Sequence, residues 1–426
     1  MTRGLETYTY PKLEETVYYK QLKNGLSLYL IPRKDYHESY AMLTSFSGSL
    51  DTKLTGTKIP FPEGVAHFLE HKLFEMPGGR DVLQDFTNLG ADVNAFTTFD
   101  RTSYYFSTSQ NLLACLDLLQ DFVQIPYFDE ESIVREQGII TQEIEMYQDD
   151  VDYRLYLGIL KNLYPRTALS EDIAGSVDSI KAINKEVLES FYTKYYHPSN
   201  LSLVVVGNFD VKEVYKSVNE KQESLKIRKK KAPSRPEIEY YPVVSSSSFD
   251  MDIVQAKLAV GFRCRTVIDP NYVITYRLSI RILFALLFGM TSTRYQSLYE
   301  GGKVDHSFDF EVEIGKDYQF VVVTMDTQEP IVMSNRIRQA VRQFASDPDV
   351  NPEHFDIVRK EIYGEFLRDL NYTENTVNQF MTYLSHQQNY FDVPNILEEL
   401  DYRTFMSYCR AFIDNIDTSD FVIFPK

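Results

Sequence analysis

The chain has 426 residues, with 44 Lys and Arg against 61 Asp and Glu, a formal net charge of -17 and 43% hydrophobic residues. That length exceeds one ordinary core, so two large domains are expected, and the acidic balance excludes the basic footprint of a nucleic-acid partner. The longest apolar stretch, Ile282 to Met290, falls far short of the roughly 20 residues of a bilayer span, so it reads as a buried helix and no membrane partner is expected.

Taken in chain order, Tyr18 to Ile31 and Ser39 to Ser49 alternate like strands, the first folded back at Asn24-Gly25, a hairpin-turn pair. Val65 to Phe74 reads as a helix. Asn94 to Thr108, rich in Thr, Tyr and Phe, reads as a strand-like run, and Asn111 to Val123 and Glu130 to Asp149 have helical periodicity. Leu201 to Val206, after His197-Pro198-Ser199-Asn200, reads as a buried strand ending the first unit. A run of basic residues from Lys226 to Lys231, followed by Pro233 and Pro236, has the character of an exposed connection. These features predict an N-terminal α+β domain at 1–222, a linker at 223–240 and a C-terminal α+β domain at 241–426.

The position of that linker near mid-chain prompts a search for self-similarity. Leu73-Phe74-Glu75-Met76 recurs as Leu287-Phe288-Gly289-Met290, Ile133-Val134-Arg135 recurs as Ile357-Val358-Arg359, and Ala41 to Gly48 corresponds to Leu258 to Cys264. Projected from these matches, Arg281, Phe284 and Ala285 stand opposite His67, Glu70 and His71, and Lys360 and Leu367 stand opposite Glu136 and Glu143. The second half thus keeps the scaffold without the residues that carry chemistry.

Those residues are concentrated in His67-Phe68-Leu69-Glu70-His71. Helix positions three and four apart share a face, so both imidazoles and the carboxylate project together. Neutral imidazole nitrogen is a good zinc ligand, and a catalytic zinc takes three protein ligands while keeping a fourth position for water. Glu70 then suits a general base that takes a proton from that water as it attacks a peptide carbonyl, the inverted H-x-x-E-H arrangement of zinc proteases. The third ligand must come from elsewhere, and Glu136, Glu143 and Glu145 are the candidates. Glu136 and Glu143 lie seven apart and can share a face, one binding metal while the other orients a histidine; Glu145 reads as solvated.

Together with Gly90-Ala91-Asp92-Val93-Asn94-Ala95-Phe96-Thr97 and Arg135-Glu136 through Glu143, this motif resembles the pitrilysin or insulinase family along nearly the whole chain. The resemblance implies that His67, His71 and Glu143 hold one zinc ion per chain, that Glu70 is the base and that Glu136 supports the site. It also implies two homologous α+β halves paired like a clam around a chamber, and an edge strand at Asn94, Ala95 and Phe96 to which an extended, unstructured peptide substrate adds. Chain length is similar to the short branch that pairs two subunits, as mitochondrial processing peptidase does, so a homodimer or a heterodimer with a related subunit is expected.

One departure concerns the second half, where active relatives carry an Arg and, seven residues later, a Tyr that hold substrate; Tyr299 and His306 stand there instead, with Arg294 nearby. Zinc-dependent endopeptidase activity is the first expectation, a non-catalytic or partner-dependent peptide-binding subunit the second, and a small-molecule amidohydrolase is disfavoured. Three widely spaced cysteines, Cys115, Cys264 and Cys409, argue against a disulfide framework or a thiolate zinc site. With no apolar block among the first 20 residues to suggest a secretory signal, a cytoplasmic protein is expected.

Overall fold

The structure, a computed structural model, describes residues 4–52, 60–227, 229–231, 233–235, 237–384 and 389–426. Of the basic and proline-containing connection, Arg228, Ala232 and Pro236 lie outside the described residues. Two compact units form, one from Met1–Met146, Glu171–Pro236 and Tyr372–Asn378, the other from Tyr147–Ser170, Glu237–Asn371 and Gln379–Lys426.

The first unit begins with strands β1 (Glu6–Tyr10), β2 (Glu15–Gln21), β3 (Ser27–Pro32) and β4 (Ser39–Ser45), then helix α1 (Val65–Leu73). A short hairpin, β5 (Glu75–Met76) and β6 (Arg80–Asp81), leads to α2 (Val82–Asn88), β7 (Ala91–Thr97), β8 (Thr102–Thr108), α3 (Leu112–Gln124) and α4 (Glu130–Asp149). After the excursion of α5 (Val151–Leu163) come α6 (Val177–Lys181), α7 (Lys185–Tyr195), β9 (Leu201–Gly207) and α8 (Val211–Ser224). The seven long strands make one sheet in the order β1-β2-β3-β9-β4-β8-β7.

Two expectations are corrected here. The run from Asn94 to Thr108 is not one strand but the hairpin β7–β8, because Thr98 N–H bonds Arg101 O at 2.8 Å and the Thr98 hydroxyl bonds Asp100, which together close a turn. Leu201 to Val206 is buried as expected, yet it does not end the unit. Val-rich β9 sits mid-sheet between β3 and β4, parallel to one and antiparallel to the other, and α8 follows it.

In the second unit β10 (Ser246–Met251), β11 (Lys257–Cys264), β12 (Asp309–Ile314), β13 (Gln319–Asp326) and β14 (Ile416–Pro425) form a sheet ordered β10-β14-β11-β13-β12. This is the order β3-β9-β4-β8-β7 over again. In both sheets the first pair is parallel and the other three are antiparallel. The duplication inferred from short sequence matches is therefore a duplication of topology. Helices α9 (Val273–Phe288), α10 (Thr293–Glu300), α11 (Pro330–Arg342), α12 (Pro352–Asp369), α13 (Thr373–Leu384), α14 (Val393–Glu399) and α15 (Tyr402–Ile413) complete the chain.

Helix α9 extends well before Ile282, and the run Pro270–Glu300 is long and apolar enough to cross a membrane by length and composition, although 61% of its apolar window is buried. Its apolar side chains Ile274, Leu278, Ile282, Leu283, Phe284 and Leu287 are spent on packing against β12, α12, α14 and α15. The buried-helix expectation matches that packing.

Division at residue 222 does not describe the units, which are discontinuous in sequence. Helix α5 packs on β11 and β14, burying Leu155, Ile159, Leu160 and Leu163. Gly158 makes this contact possible, since a Cβ there would lie 2.2 Å from the Phe421 ring. In an ordinary helix interior Gly→Ala stabilises by about 1 kcal/mol. At Gly158 we expect the opposite sign, a loss of about 1–3 kcal/mol from overpacking, read as a lower urea unfolding midpoint for Gly158→Ala; a raised midpoint would refute the close packing.

Candidate metal centre

The site begins with α1, whose entry is fixed by Gly64. Its φ of +81° suits only glycine, and a Cβ there would meet Ala174 O at 2.4 Å. Val65, Ala66, Phe68, Leu69 and Leu73 anchor the helix in the core beside α7 and β7. That leaves His67 and His71 on one side, their ring centroids 4.5 Å apart.

Helix α4 supplies the facing carboxylates. Its buried stripe of Ile133, Ile140 and Ile144 holds the helix against the core, and Glu136 and Glu143 sit half-buried beside that stripe while Glu145 is exposed. Glu143 Oε1 lies 3.7 Å from His67 Nε2, and its Oε2 lies 3.6 Å from His71 Nε2. Glu136 Oε1 is 2.9 Å from His71 Nδ1. A carboxylate only accepts, so this contact places a hydrogen on Nδ1 and turns Nε2 toward Glu143.

These distances fit a metal. One ligand atom from each of His67, His71 and Glu143 lies within 4.8 Å of the others. The 3.6 and 3.7 Å gaps exceed hydrogen-bond length, yet they approach the roughly 3.3 Å edge of a tetrahedron with ~2.0–2.1 Å zinc–ligand bonds. Burial, helped by the charge of His71, pushes the His67 pKa down to about 3, which keeps its imidazole neutral as a ligand must be. At His71 burial also acts downward, but the hydrogen bond to Glu136 and the charges of Glu70, Glu136 and Glu143 outweigh it and the pKa is raised.

Glu70 is buried next to this cluster. Burial raises its carboxyl to about 7, against the lowering effects of a hydrogen bond from Thr97 and the charge of His71. A carboxylate poised near neutrality is suited to take and return a proton.

Beside α1 runs β7, which among the described residues pairs only with β8 and so ends the sheet with an open edge. Asn94, Ala95 and Phe96 lie on it, and Asn94 Oδ1 accepts from Ala95 N–H at 2.8 Å. Tyr299 and His306 belong to the second unit. Tyr299 is exposed on α10. His306 lies in the turn before β12, lining a cavity of about 390 Å³ with Lys257, Glu311 and Asp326. The projected counterparts of the metal residues have other work: Arg281 pairs with Glu365 at 2.6 Å and Phe284 is core.

Residues 60–176 match the family described as insulinase, peptidase family M16, and residues 182–362 match the M16 inactive domain. A zinc protease of Bacillus subtilis, YmfH, is 36% identical over 398 residues, covering 92% of each chain. The chain belongs to the insulinase, or M16, peptidase family. Among solved M16 structures, an M16-like peptidase from Alicyclobacillus acidocaldarius superposes with a TM-score of 0.88 at 32% identity, over the whole of both chains. The beta subunit of mitochondrial processing peptidase from Bos taurus is 30% identical over 178 residues, 41% of this chain and 36% of that one. Pitrilysin, at 16% identity and a TM-score of 0.72 over 47% of its own length, shares the fold. A match to an inactive domain in the second half agrees with the absence there of the projected metal residues.

Sequence reasoning missed Thr97 as the hydrogen-bond partner of Glu70. A signal existed. Ala91, Val93, Ala95 and Thr97 share one face of β7, the first three packing in the core, so Thr97 is a polar residue ending an apolar row. As for Glu136, its removal as Glu136→Gln is expected to lower zinc affinity about 10- to 100-fold, the usual cost of losing a histidine's orienting partner, measured by chelator competition; unchanged affinity would refute its supporting role.

Proposed function

We propose that this M16 family member is a zinc-dependent endopeptidase acting on short, unstructured peptides, with His67, His71 and Glu143 holding one zinc ion per chain. The observation that carries the reading is the convergence of those three ligands with buried Glu70. Zinc bound there would polarise the scissile carbonyl and make water acidic enough to attack near neutral pH. Glu70 takes the water's proton and delivers it to the leaving amine. Glu136 holds the His71 ring in the tautomer and orientation that a ligand needs.

Substrate binding rests on β7. Its open edge offers backbone hydrogen bonds to an extended chain, which give affinity with little demand on sequence. Ala95 N–H, now satisfied by Asn94 Oδ1, exchanges that partner for the peptide. Tyr299 and His306, which offer hydroxyl and imidazole donors, are proposed to contact substrate. We further propose a cytoplasmic protein that acts as a homodimer or with a related subunit, in peptide processing. Cys115, Cys264 and Cys409 are all free and buried, in keeping with a reducing compartment.

Incubation of the zinc-loaded protein with a pool of unstructured peptides, read by mass spectrometry, tests the reading. Cleavage of the pool with folded proteins left intact is the expected result. Bound zinc with no cleavage, alone or with an added homologous subunit, would establish a non-catalytic binding protein instead.

A further inference from the structure

The hydroxyl of Thr97 lies 2.5 Å from Glu70 Oε2, a direct link between β7 and the chemistry-bearing face of α1. Thr97 is held from both sides. It forms the last register pair of the β7–β8 hairpin with Thr102, whose Oγ1 is 3.3 Å away, and Thr102 Oγ1 in turn donates to Ser47 O at 3.0 Å. Thr102 is fully buried, and its hydroxyl donates to that carbonyl. The single Thr97 hydrogen is therefore directed to Glu70, whose carboxylate can only accept.

From this geometry we infer that Thr97 is a positioning residue for the general base, a hydroxyl that clamps Oε2 of Glu70 and leaves Oε1 for the reacting water. The inference rests on the endopeptidase reading for its kinetic consequence, while the hydrogen bond itself stands apart from that reading. A rotamer-restrained threonine at the end of a paired strand is a rigid support, and the carboxyl group it holds belongs to a helix fixed in the core. Because a hydroxyl donates and accepts, the contact also persists once Glu70 has taken a proton. Thr97 then accepts from the carboxyl and turns its own hydrogen to Thr102 Oγ1. The base keeps one orientation through both halves of its cycle. Thr97 also ends the strand proposed to bind the peptide, so the same short hairpin sets substrate and base relative to each other.

Thr97→Val keeps the β-branched shape and strand preference while removing the hydroxyl, and Thr97→Ser restores the hydroxyl without the methyl. The expected results are a kcat about 10- to 100-fold lower in Thr97→Val, the scale of a lost hydrogen bond to a charged group, with KM within about threefold, and recovery in Thr97→Ser to within about threefold of the unmutated protein. Zinc affinity by chelator competition stays unchanged in both. An activity-independent reading comes from the metal-free protein with ¹³C-labelled glutamate side chains, the Glu70 resonance being assigned by its loss in Glu70→Gln. That resonance should shift in Thr97→Val and shift much less in Thr97→Ser. An unmoved resonance in Thr97→Val would overturn the clamp even in a protein that cleaves nothing. A moved resonance with unchanged kcat would overturn its role in positioning, and joint loss of zinc and activity, or failure of serine to rescue, would reduce Thr97 to a structural residue. Absence of cleavage by the unmutated protein defeats the endopeptidase reading alone.

Discussion

Glu70→Gln is expected to retain zinc and lose peptide cleavage by about 10²–10⁴-fold, the span that a positioned general base contributes. Glutamine is close in shape, and Thr97 can donate to its amide oxygen as it does to Glu70 Oε2, so the buried site is not left with an unsatisfied hydroxyl. What disappears is the proton acceptor. Burial has raised the Glu70 carboxyl to about 7, the range in which a group is ionised enough to accept a proton and acidic enough to give it back. Quenched-fluorescence peptide cleavage and metal analysis on the same samples decide the matter. Activity within threefold of the unmutated protein would remove Glu70 from the chemistry, and loss of zinc with loss of activity would make it part of the metal shell.

Glu143→Gln should lose zinc outright, a larger effect than the ~10–100-fold expected at the orienting residue Glu136. Glu143 approaches both histidine Nε2 atoms, at 3.7 and 3.6 Å. Neutral glutamine removes an anionic ligand and half of the charge complement that a dication needs. Glu145→Gln, on the exposed side of α4, should bind zinc as the unmutated protein does. Metal content after dialysis against a weak chelator separates the two. Zinc retained by Glu143→Gln and lost by Glu145→Gln would move the third ligand.

How far the candidate site was readable from sequence follows from distance along the chain. His67, Glu70 and His71 share a helix, so the 3.6-residue repeat alone brings them to one side, and α1 does so. The same repeat showed that Glu136 and Glu143 could share a face. It could not say which of them meets which histidine, because that depends on how α4 slides and tilts against α1, some 65 residues earlier. Packing of Ile133, Ile140 and Ile144 sets that offset, and with it Glu136 falls on Nδ1 of one histidine while Glu143 falls between two Nε2 atoms. Thr97 illustrates the same limit: its place in an apolar row was visible, but its partner lies 27 residues away across the strand–helix interface.

The fold divides in a similar way. By itself the sequence determined the α+β class, a helix beginning at Val65 and another at 130–149, the buried run of β9 and a repeat in which the second copy lacks metal residues, since each of these depends on local periodicity or on residue identity. Tertiary structure alone decided that β9 lies mid-sheet, that 94–108 is a hairpin and that α5, encoded in the first half, packs on the second sheet. Strand order and helix docking are settled by which apolar faces fit one another. Gly158 against the Phe421 ring is such a fit, made by residues 263 positions apart, and no window of sequence contains both.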